Sequence, residues 1–528
     1  MSVVTSTFQS AVTDAVRDFR SALGADRVLT GEDQLNKFRD PFQFASWDEF
    51  TASAIVMPET VEEVQEVVRI AGRQGVPLWT HSTGRNNGYG GPAPRVKGSV
   101  IVSLRNMNRV LEINDELAYA VVEPGVRWFD LYEAIQAGGH RLMLSVADLG
   151  WGSVIGNTLD NGVTYMPYGM DMGMQCGMEV VLADGEVMRT GMGAMPGNRA
   201  WHVYKRGLGP TVDQLFMQSN YGIVTKMGVW LMPYPEVYMP LWLKVWNDDD
   251  LGPLMDALRT LMLDGTIRMV PQVMNTLLLG SVLSSRKQWY QGEGAIPDEA
   301  IDRMARELDI GRWCMRFALY GDEAVVDHRF EKIKTAFERI EGAEVTGAKH
   351  APEDIPKLEH PAERIQGGVP NLDWNNMTGW YGGEHGGHIG FSPIAPSTGA
   401  DAMALRDLLR GYIEDAGLDY IVGILPISAR SFTHITMVIF DTDDEVQTRS
   451  AYDVCRRLVT EAAKVGYGEY RAHLDFMDLA SEQYSFNHHA YRRFCETIKD
   501  AVDPQGILSP GKQGIWPAAM RPDRPSED

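Results

Sequence analysis

Apolar residues along the first 140 positions switch between a helical and a strand period. Phe8, Val12, Ala15, Val16, Phe19 and Leu23 recur at helical spacing and Gly24 can end the segment, which predicts an N-terminal helix. SAIVM (53–57) reads as a strand. Thr60 and Glu63 then form a capping box before a helix that carries Val61, Val64, Val67 and Val68 on one face. VPLWTHS (76–82) is a second strand and SVIVSL (99–104) a third, with HSTGRNNGYGG (81–91) between them. This is a βαβ-like unit whose glycine-rich loop follows its second strand. It is not a Rossmann unit, because no GxGxxG stands between the first strand and its helix. VLEIND (110–115) and YAVVEPG (119–125) predict a hairpin, with a helix over 128–138. EVVLADGEVMRTG (179–191) predicts a second hairpin about an Asp-Gly turn.

After Pro233–Pro240 the texture changes. Helical patterns over 252–264, 298–308, 402–416 and 449–465 mix with short strands such as ITMVIF (435–440), which predicts a separate α+β unit over 240–468. The remainder closes on ILSPGKQGIWP, and no internal repeat or low-complexity block interrupts the chain.

Composition narrows the function classes. At 528 residues, 44% apolar and 23% charged, the chain suits a soluble globular protein of two or more domains. A net charge of −22 argues against nucleic-acid and anionic-membrane partners, which need basic patches. Four widely spaced cysteines without a CxxC pair fit a reducing compartment. The N-terminus lacks a basic head followed by an apolar run, and no apolar stretch approaches the ~20 residues of a membrane helix. A cytoplasmic protein is expected.

Several segments carry candidate chemistry. Backbone N–H groups of a glycine-rich turn can converge on an anion, although a loop such as STGRNNG is as often a plain tight turn. GWGSVIGNTLD (150–160) and SNYGIV (219–224) add two more such runs, which favours a ligand with a long polar backbone such as a dinucleotide. In EHGGHIGFSP (384–393), Glu384, His385 and His388 suggest a metal site, but the Gly-Gly between the histidines and the lack of a third ligand argue against it. His388, opening the strand-like HIGF, can instead project into a pocket, while His488 and His489 read as a surface pair. Tyr470–Arg471 pairs a hydroxyl with a guanidinium and can hold an anionic oxygen, but as a bare dipeptide it carries no weight. Asp148 in VADLGWG reads first as a turn or cap residue.

Taken together, the motifs say more. From about RDPF (39–42) onward, STGRNNGYGGPAPRVKGSVIV (82–102), DLGWGSVIGNTLDNGVTYMPYG (148–169), EVMRTGMGAMPG (186–197), QSNYGIVTKMG (218–228), GGHIGFSPIAP (386–396), GYGEYR (466–471) and DPQGILSPGKQGIWP (503–517) stand in one order. In that order they resemble the flavoproteins that oxidise para-substituted phenols. That family comprises vanillyl-alcohol oxidase, eugenol oxidase and the flavoprotein subunit of 4-cresol methylhydroxylase, with a particular likeness to eugenol oxidase.

The resemblance implies a two-domain α+β flavoprotein. A vanillyl-alcohol-oxidase-type (PCMH-type) FAD-binding domain would come from 1–238 and 469–528, and a cap domain from 239–468. It implies FAD joined through its 8α-methyl group to His388. Ser82, Thr83, Gly84, Arg85, Asn86, Asn87 and Gly88 would hold the diphosphate; Gly152, Ser153, Gly156, Asn157, Gly222, Ile223, Val224 and Lys512 would complete the cofactor site. Tyr89, Tyr470 and Arg471 correspond to the family's clamp on the phenol oxygen, Asp148 to its active-site aspartate, and Tyr165 and Ser392 to pocket positions. The chemistry is coherent, since a phenol of pKa ~10 needs donors to ionise at neutral pH. The phenolate can then push electrons through the ring while a hydride leaves the para α-carbon, giving a p-quinone methide. Asp148 would either accept a proton from the water that adds there or stabilise developing positive charge. The partners implied are a small phenol and O2, with H2O2 released, in a homodimer or larger homo-oligomer; no metal is expected.

Departures affect the choice of phenol. Met170–Asp171 replaces the family's Asp-His after the PYG motif, LPISARSFTH (425–434) replaces a basic stretch of which His434 persists, and Thr164 stands where eugenol oxidase has glycine. Gly423 falls where relatives carry a larger polar pocket residue. Three rivals stay open: a dehydrogenase that hands electrons to a cytochrome, a berberine-bridge-type oxidase and a metal hydrolase using His385 and His388. The second is disfavoured because STGRNNG lacks the histidine of that type's doubly attached flavin.

Overall fold

In the computed structural model of the chain, residues 6–43, 49–169 and 173–522 are described; Met170 and Asp171 lie outside them. The helix Val61–Gln74 shows how the sequence builds the first layer. Thr60 accepts from the N–H of Glu63 at 3.2 Å, while the Glu63 carboxylate reaches one residue further back, to the N–H of Glu59 at 2.7 Å. The box is therefore open by one residue, because Glu63 also pairs with Arg27 at 2.6 Å. Val64, Val67 and Val68 are buried against a four-stranded sheet, and Gly75 at φ +65° ends the helix.

That sheet runs Val28–Leu29, Ala54–Val56, Val100–Ser103, Leu78–His81. The two strands joined by the helix are thus separated by the third, which lies parallel to both. Leu78–His81 is left at the edge, and the chain's far end closes it. Leu78 donates to the Ile507 carbonyl at 2.7 Å, Ser509 donates back to the Leu78 carbonyl at 2.8 Å, and Thr80 donates to Ser509 Oγ at 3.3 Å. A fully buried Lys499–Asp503 pair, 2.7 Å apart, locks this return, with Lys499 also donating to the carbonyls of Asn220 and Leu508.

The second sheet is antiparallel, in the order Val110–Asn114, Tyr119–Val122, Ile223–Trp230, Gln175–Val181, Val187–Arg189. Both expected hairpins are in it, the second turning at Asp184–Gly185 with Gly185 at φ +82°. A nine-stranded antiparallel sheet built from residues 237–469 forms the other half, with the helices Glu323–Phe337, Gly399–Asp415 and Glu445–Lys464 against its strands and Leu251–Leu263 against the first two of these helices. Its longest strand, Ser431–Asp441, pairs with Gly386–Phe391 along one half and Pro393–Pro396 along the other. Ser392 therefore sits at a junction between strands. All four cysteines are free and buried, and no helix among the described residues is long and apolar enough to cross a membrane.

His434 is wholly buried in this sheet, with Nε2 2.9 Å from the Tyr420 hydroxyl and Nδ1 3.2 Å from Thr436 Oγ1. Burial pushes its pKa down to about 3. The folded chain holds it neutral while the unfolded chain protonates it below the ordinary value, so stability is complete above about 6.5 and declines as pH falls toward 3. Denaturant unfolding is expected to lose about 1.4 kcal/mol per pH unit from this residue below that point, and His434→Gln should flatten the slope.

Candidate active site

One cavity of about 380 Å³ gathers residues from distant parts of the chain. The loop Ser82–Asn87 meets Gly152, Ser153, Gly156 and Asn157, the turn Gly222–Val224, the strand residue His388 and, from the C-terminal segment, Lys512. Tyr89, Asp148, Tyr165, Tyr470 and Arg471 line the same space. The loop can follow its path because Gly84 and Gly88 take φ +70° and +78°, values that side chains disfavour. Ser153 caps a short helix by accepting from the N–H of Gly156 at 2.9 Å, and its own hydroxyl donates to the Pro124 carbonyl. Lys512 pairs with Asp160 at 3.1 Å; burial opposes ionisation of that carboxyl, but Lys512 and Arg471 together hold it below the ordinary range.

The wall is rich in polar atoms without protein partners. Thr80 Oγ1, His81 Nε2, Asn157 Nδ2, His388 Nδ1 and Arg471 Nε are all buried and unsatisfied. Such atoms cost free energy unless a ligand or water meets them. Unsatisfied donors and acceptors beside glycine turns fit an extended polar cofactor such as FAD.

His388 is the third residue of the strand Gly386–Phe391, opposite Ile439, and lines the cavity with the Phe42 ring 5.2 Å away. Burial lowers its pKa to about 4, with Asp40 opposing and His473 reinforcing the shift. At neutral pH the imidazole therefore keeps a free lone pair, the form a covalent attachment requires. Behind it, His473 bonds Asp40 at 3.1 Å, and Tyr452 approaches the same carboxylate at 3.4 Å. Gly88 faces this histidine so closely that a Cβ would lie 2.5 Å from His388 Nε2. Gly88→Ala combines that clash with a strained φ. It is expected to cost about 1–2 kcal/mol from the backbone alone and to lower the flavin-to-protein absorbance ratio, with thermal melting as the second readout.

Three residues form the polar end of the cavity. The Arg471 guanidinium lies 4.0 Å over the Tyr89 ring and donates to Asn86 at 3.2 Å. Burial works against its charge, but Tyr89, Tyr470, Asp160 and Glu469 more than offset this and keep it protonated. Ser392 ties the set together. Its Oγ is 3.2 Å from the Tyr89 hydroxyl, its carbonyl accepts from Tyr470 N–H at 3.4 Å, and its N–H donates to Glu469 at 3.1 Å. Glu469 is itself buried, and desolvation pushes its pKa up to about 8 against the pull of Ser392 and Arg471.

Asp148 stands apart from this end. Tyr165 donates to its Oδ2 and Arg316 to its Oδ1, while the Arg316 guanidinium lies 4.5 Å from the Tyr165 ring centre. Burial, then the Asp148 charge, push the Tyr165 pKa well above its ordinary value. Gly423, expected at the substrate pocket, is not among the residues that line this cavity; it pairs with Ile435, which is, and a Cβ there would meet Leu278 and the Gln272 amide at 3.3 and 3.4 Å.

His385 is exposed beside Asp443 at 3.4 Å. Among the described residues no group of three or more His, Cys, Asp or Glu could hold a metal. His489 is buried and pairs with Glu482 at 3.0 Å, so only His488 of that doublet is a surface residue. Sequence patterns left Arg316, Glu469 and Asp160 unremarked. Only Glu469 had a usable signal, a carboxylate directly before Tyr470–Arg471.

Comparison with known proteins gives a consistent answer. A model described as an FAD binding domain matches residues 52–191, and one for the C-terminal domain of FAD linked oxidases matches 429–513. The flavoprotein subunit of 4-cresol dehydrogenase (hydroxylating) from Pseudomonas putida is 38% identical over 512 residues, covering 96% of each chain. Among solved structures, 4-ethylphenol oxidase from Gulosibacter chungangensis, in complex with isoeugenol, superposes with a TM-score of 0.92 at 40% identity, covering 97% of this chain and 98% of that one. Substrate-bound p-cresol methylhydroxylase gives 0.92 at 36%, covering 98% of each.

Proposed function

The chain belongs to the family of FAD-linked flavoprotein oxidoreductases that includes the 4-cresol dehydrogenase flavoprotein subunit and 4-ethylphenol oxidase, and we propose that it oxidises para-substituted phenols at the side-chain α-carbon. The observation that carries this reading is the convergence of Arg471, Tyr89 and Tyr470 on the cavity that also holds His388. A guanidinium with two hydroxyls is a site for a phenolate oxygen: the cation stabilises the charge, and the hydroxyls fix its direction. Ser392 can donate to the Tyr89 oxygen, which leaves the Tyr89 proton for the substrate.

The phenolate drives electron density toward the para position, and loss of a hydride from the α-carbon turns the substrate into a neutral quinone methide. When bound, FAD supplies the two-electron acceptor for that hydride. Ser82–Gly88, Gly152–Asn157, Gly222–Val224 and Lys512 would hold the cofactor, and His388 would anchor it through the 8α-methyl group. Asp148 and Tyr165 would flank the α-carbon, with Ser392 behind the clamp. The oxidant is O2, reduced to H2O2, and the working unit is a homodimer or larger homo-oligomer.

An aryl ether, which has no phenolic proton to lose, provides the test. Anaerobic 4-ethylphenol is expected to bleach the visible flavin band of the purified protein, and 4-ethylanisole to leave it intact; equal bleaching by both would overturn the proposal. The 38% identity to 4-cresol dehydrogenase supports a second reading, delivery of the electrons to a cytochrome. Admitting air to the bleached protein separates the two: prompt return of colour with peroxide supports the oxidase, slow return the dehydrogenase.

A further inference from the structure

Arg316 occupies an unusual place for a charge. It is the fourth residue of the core strand Trp313–Gly321, between Met315 and Phe317, and its side chain is 1% exposed. Its guanidinium lies 4.5 Å from the Tyr165 ring centre and 5.1 Å from that of Trp374. Nη2 donates to Asp148, whereas Nε and Nη1 are buried without partners. Among the described residues Asp148 is its one carboxylate partner. Building on the phenol-oxidation reading above, we propose that Arg316 is a positioning residue that holds Asp148 as a fixed carboxylate beside the substrate α-carbon, so that Asp148 assists hydride loss by its charge and not by taking up a proton.

The physical basis is charge balance. A guanidinium does not give up its proton. If Asp148 were protonated, Arg316 would be left as an uncompensated charge in the protein interior, a state far costlier than the pair. The second carboxylate oxygen is also engaged, by a Tyr165 hydroxyl whose proton is held tightly. The wider surroundings supply no replacement anion. Arg316's charge also reaches Tyr238, Cys314 and His360, but burial keeps the first two protonated and disfavours the charged form of the third.

A carboxylate tied in this way is a well-placed negative charge. It faces the carbon that becomes electron-poor as the hydride departs. The substrate loses a hydride to FAD and its phenolic proton to the solvent. When water adds to the resulting quinone methide, its oxygen bonds the α-carbon and its proton passes through solvent to the ring oxygen, which restores the phenol, and Asp148 ends the cycle as it began.

The test uses the holoenzyme and variants Arg316→Gln, Arg316→Lys, Asp148→Asn and the Arg316→Gln/Asp148→Asn double variant. Infrared difference spectra between about pH 5.5 and 8 report carboxyl protonation directly. No Asp148-dependent protonated band is expected in the unmodified protein or in Arg316→Lys, and one should appear in Arg316→Gln. In stopped-flow, Arg316→Gln is expected to lose the hydride step about tenfold more at the acid end of that range than at the alkaline end, Arg316→Lys to restore a flat profile, and the double variant to add less than about twofold to Asp148→Asn alone.

A purely structural role would slow Arg316→Gln equally at every pH and in both backgrounds, which overturns the proposal. If Arg316→Gln does not fold, an Asp148-dependent protonated band in the unmodified protein at the acid end overturns it as well. Failure of every phenol to bleach the unmodified protein would instead remove the functional reading, while the infrared result would still report on the ion pair.

Discussion

Arg471→Ala is expected to slow anaerobic oxidation of a 4-alkylphenol by about 10²–10³-fold, the usual cost of losing a preorganised charge donor. The reason lies in the position of the guanidinium. It stacks over Tyr89, bonds Asn86 and keeps one buried N–H without a partner. Alanine removes the only one of the three clamp groups that carries a full positive charge, so Tyr89 and Tyr470 must bind a neutral phenol. The loss should shrink for nitro-substituted phenols, which ionise without help near neutral pH. That dependence on phenol acidity separates a charge effect from collapse of the loop. Arg471→Lys supplies the geometric control, restoring charge but not the planar stack. An equal loss for acidic and weakly acidic phenols would remove Arg471 from the clamp.

The second large effect concerns His388. In His388→Ala, acid precipitation is expected to leave the yellow chromophore in the supernatant, whereas in the unmodified protein it should travel with the pellet. Oxidation should also slow about tenfold, the change that roughly 30 mV of lost two-electron potential carries at equilibrium. The imidazole is suited to the role: burial keeps it neutral, Nδ1 has no protein partner, and the missing Cβ of Gly88 avoids a clash at Nε2. A pellet that stays yellow in the alanine variant would place the attachment elsewhere.

Local order was readable from the sequence wherever a local cause sets it. The helix Val61–Gln74 follows from its valine face and from Thr60, and the Gln175–Arg189 hairpin follows from Asp184–Gly185. The three glycine runs marked the loops that converge on one cavity, but their convergence depends on contacts hundreds of residues apart, which no local pattern encodes. Val100–Ser103 slipped between the strands of the βαβ-like unit for the same reason. Arg316 was hidden because a strand reading WCMRFALYG is apolar nearly throughout, and one arginine in it does not reveal that Asp148, 168 residues away, meets it in the fold. His489 read as a surface residue because its partner, Glu482, lies in another turn of chain.

The closure of the edge strand Leu78–His81 by residues 507–509 has a consequence for biosynthesis. Thr80 and the serine that covers it are 429 residues apart in the chain. At ribosomal speeds of 5–20 residues per second, roughly 20–90 s pass between their appearances. During that interval a bare strand edge and an unfinished glycine loop are exposed outside the ribosome, a state prone to mispairing. Cofactor capture must therefore be a late, post-translational event, and the yield of active protein should depend on how well a cell shields that waiting edge.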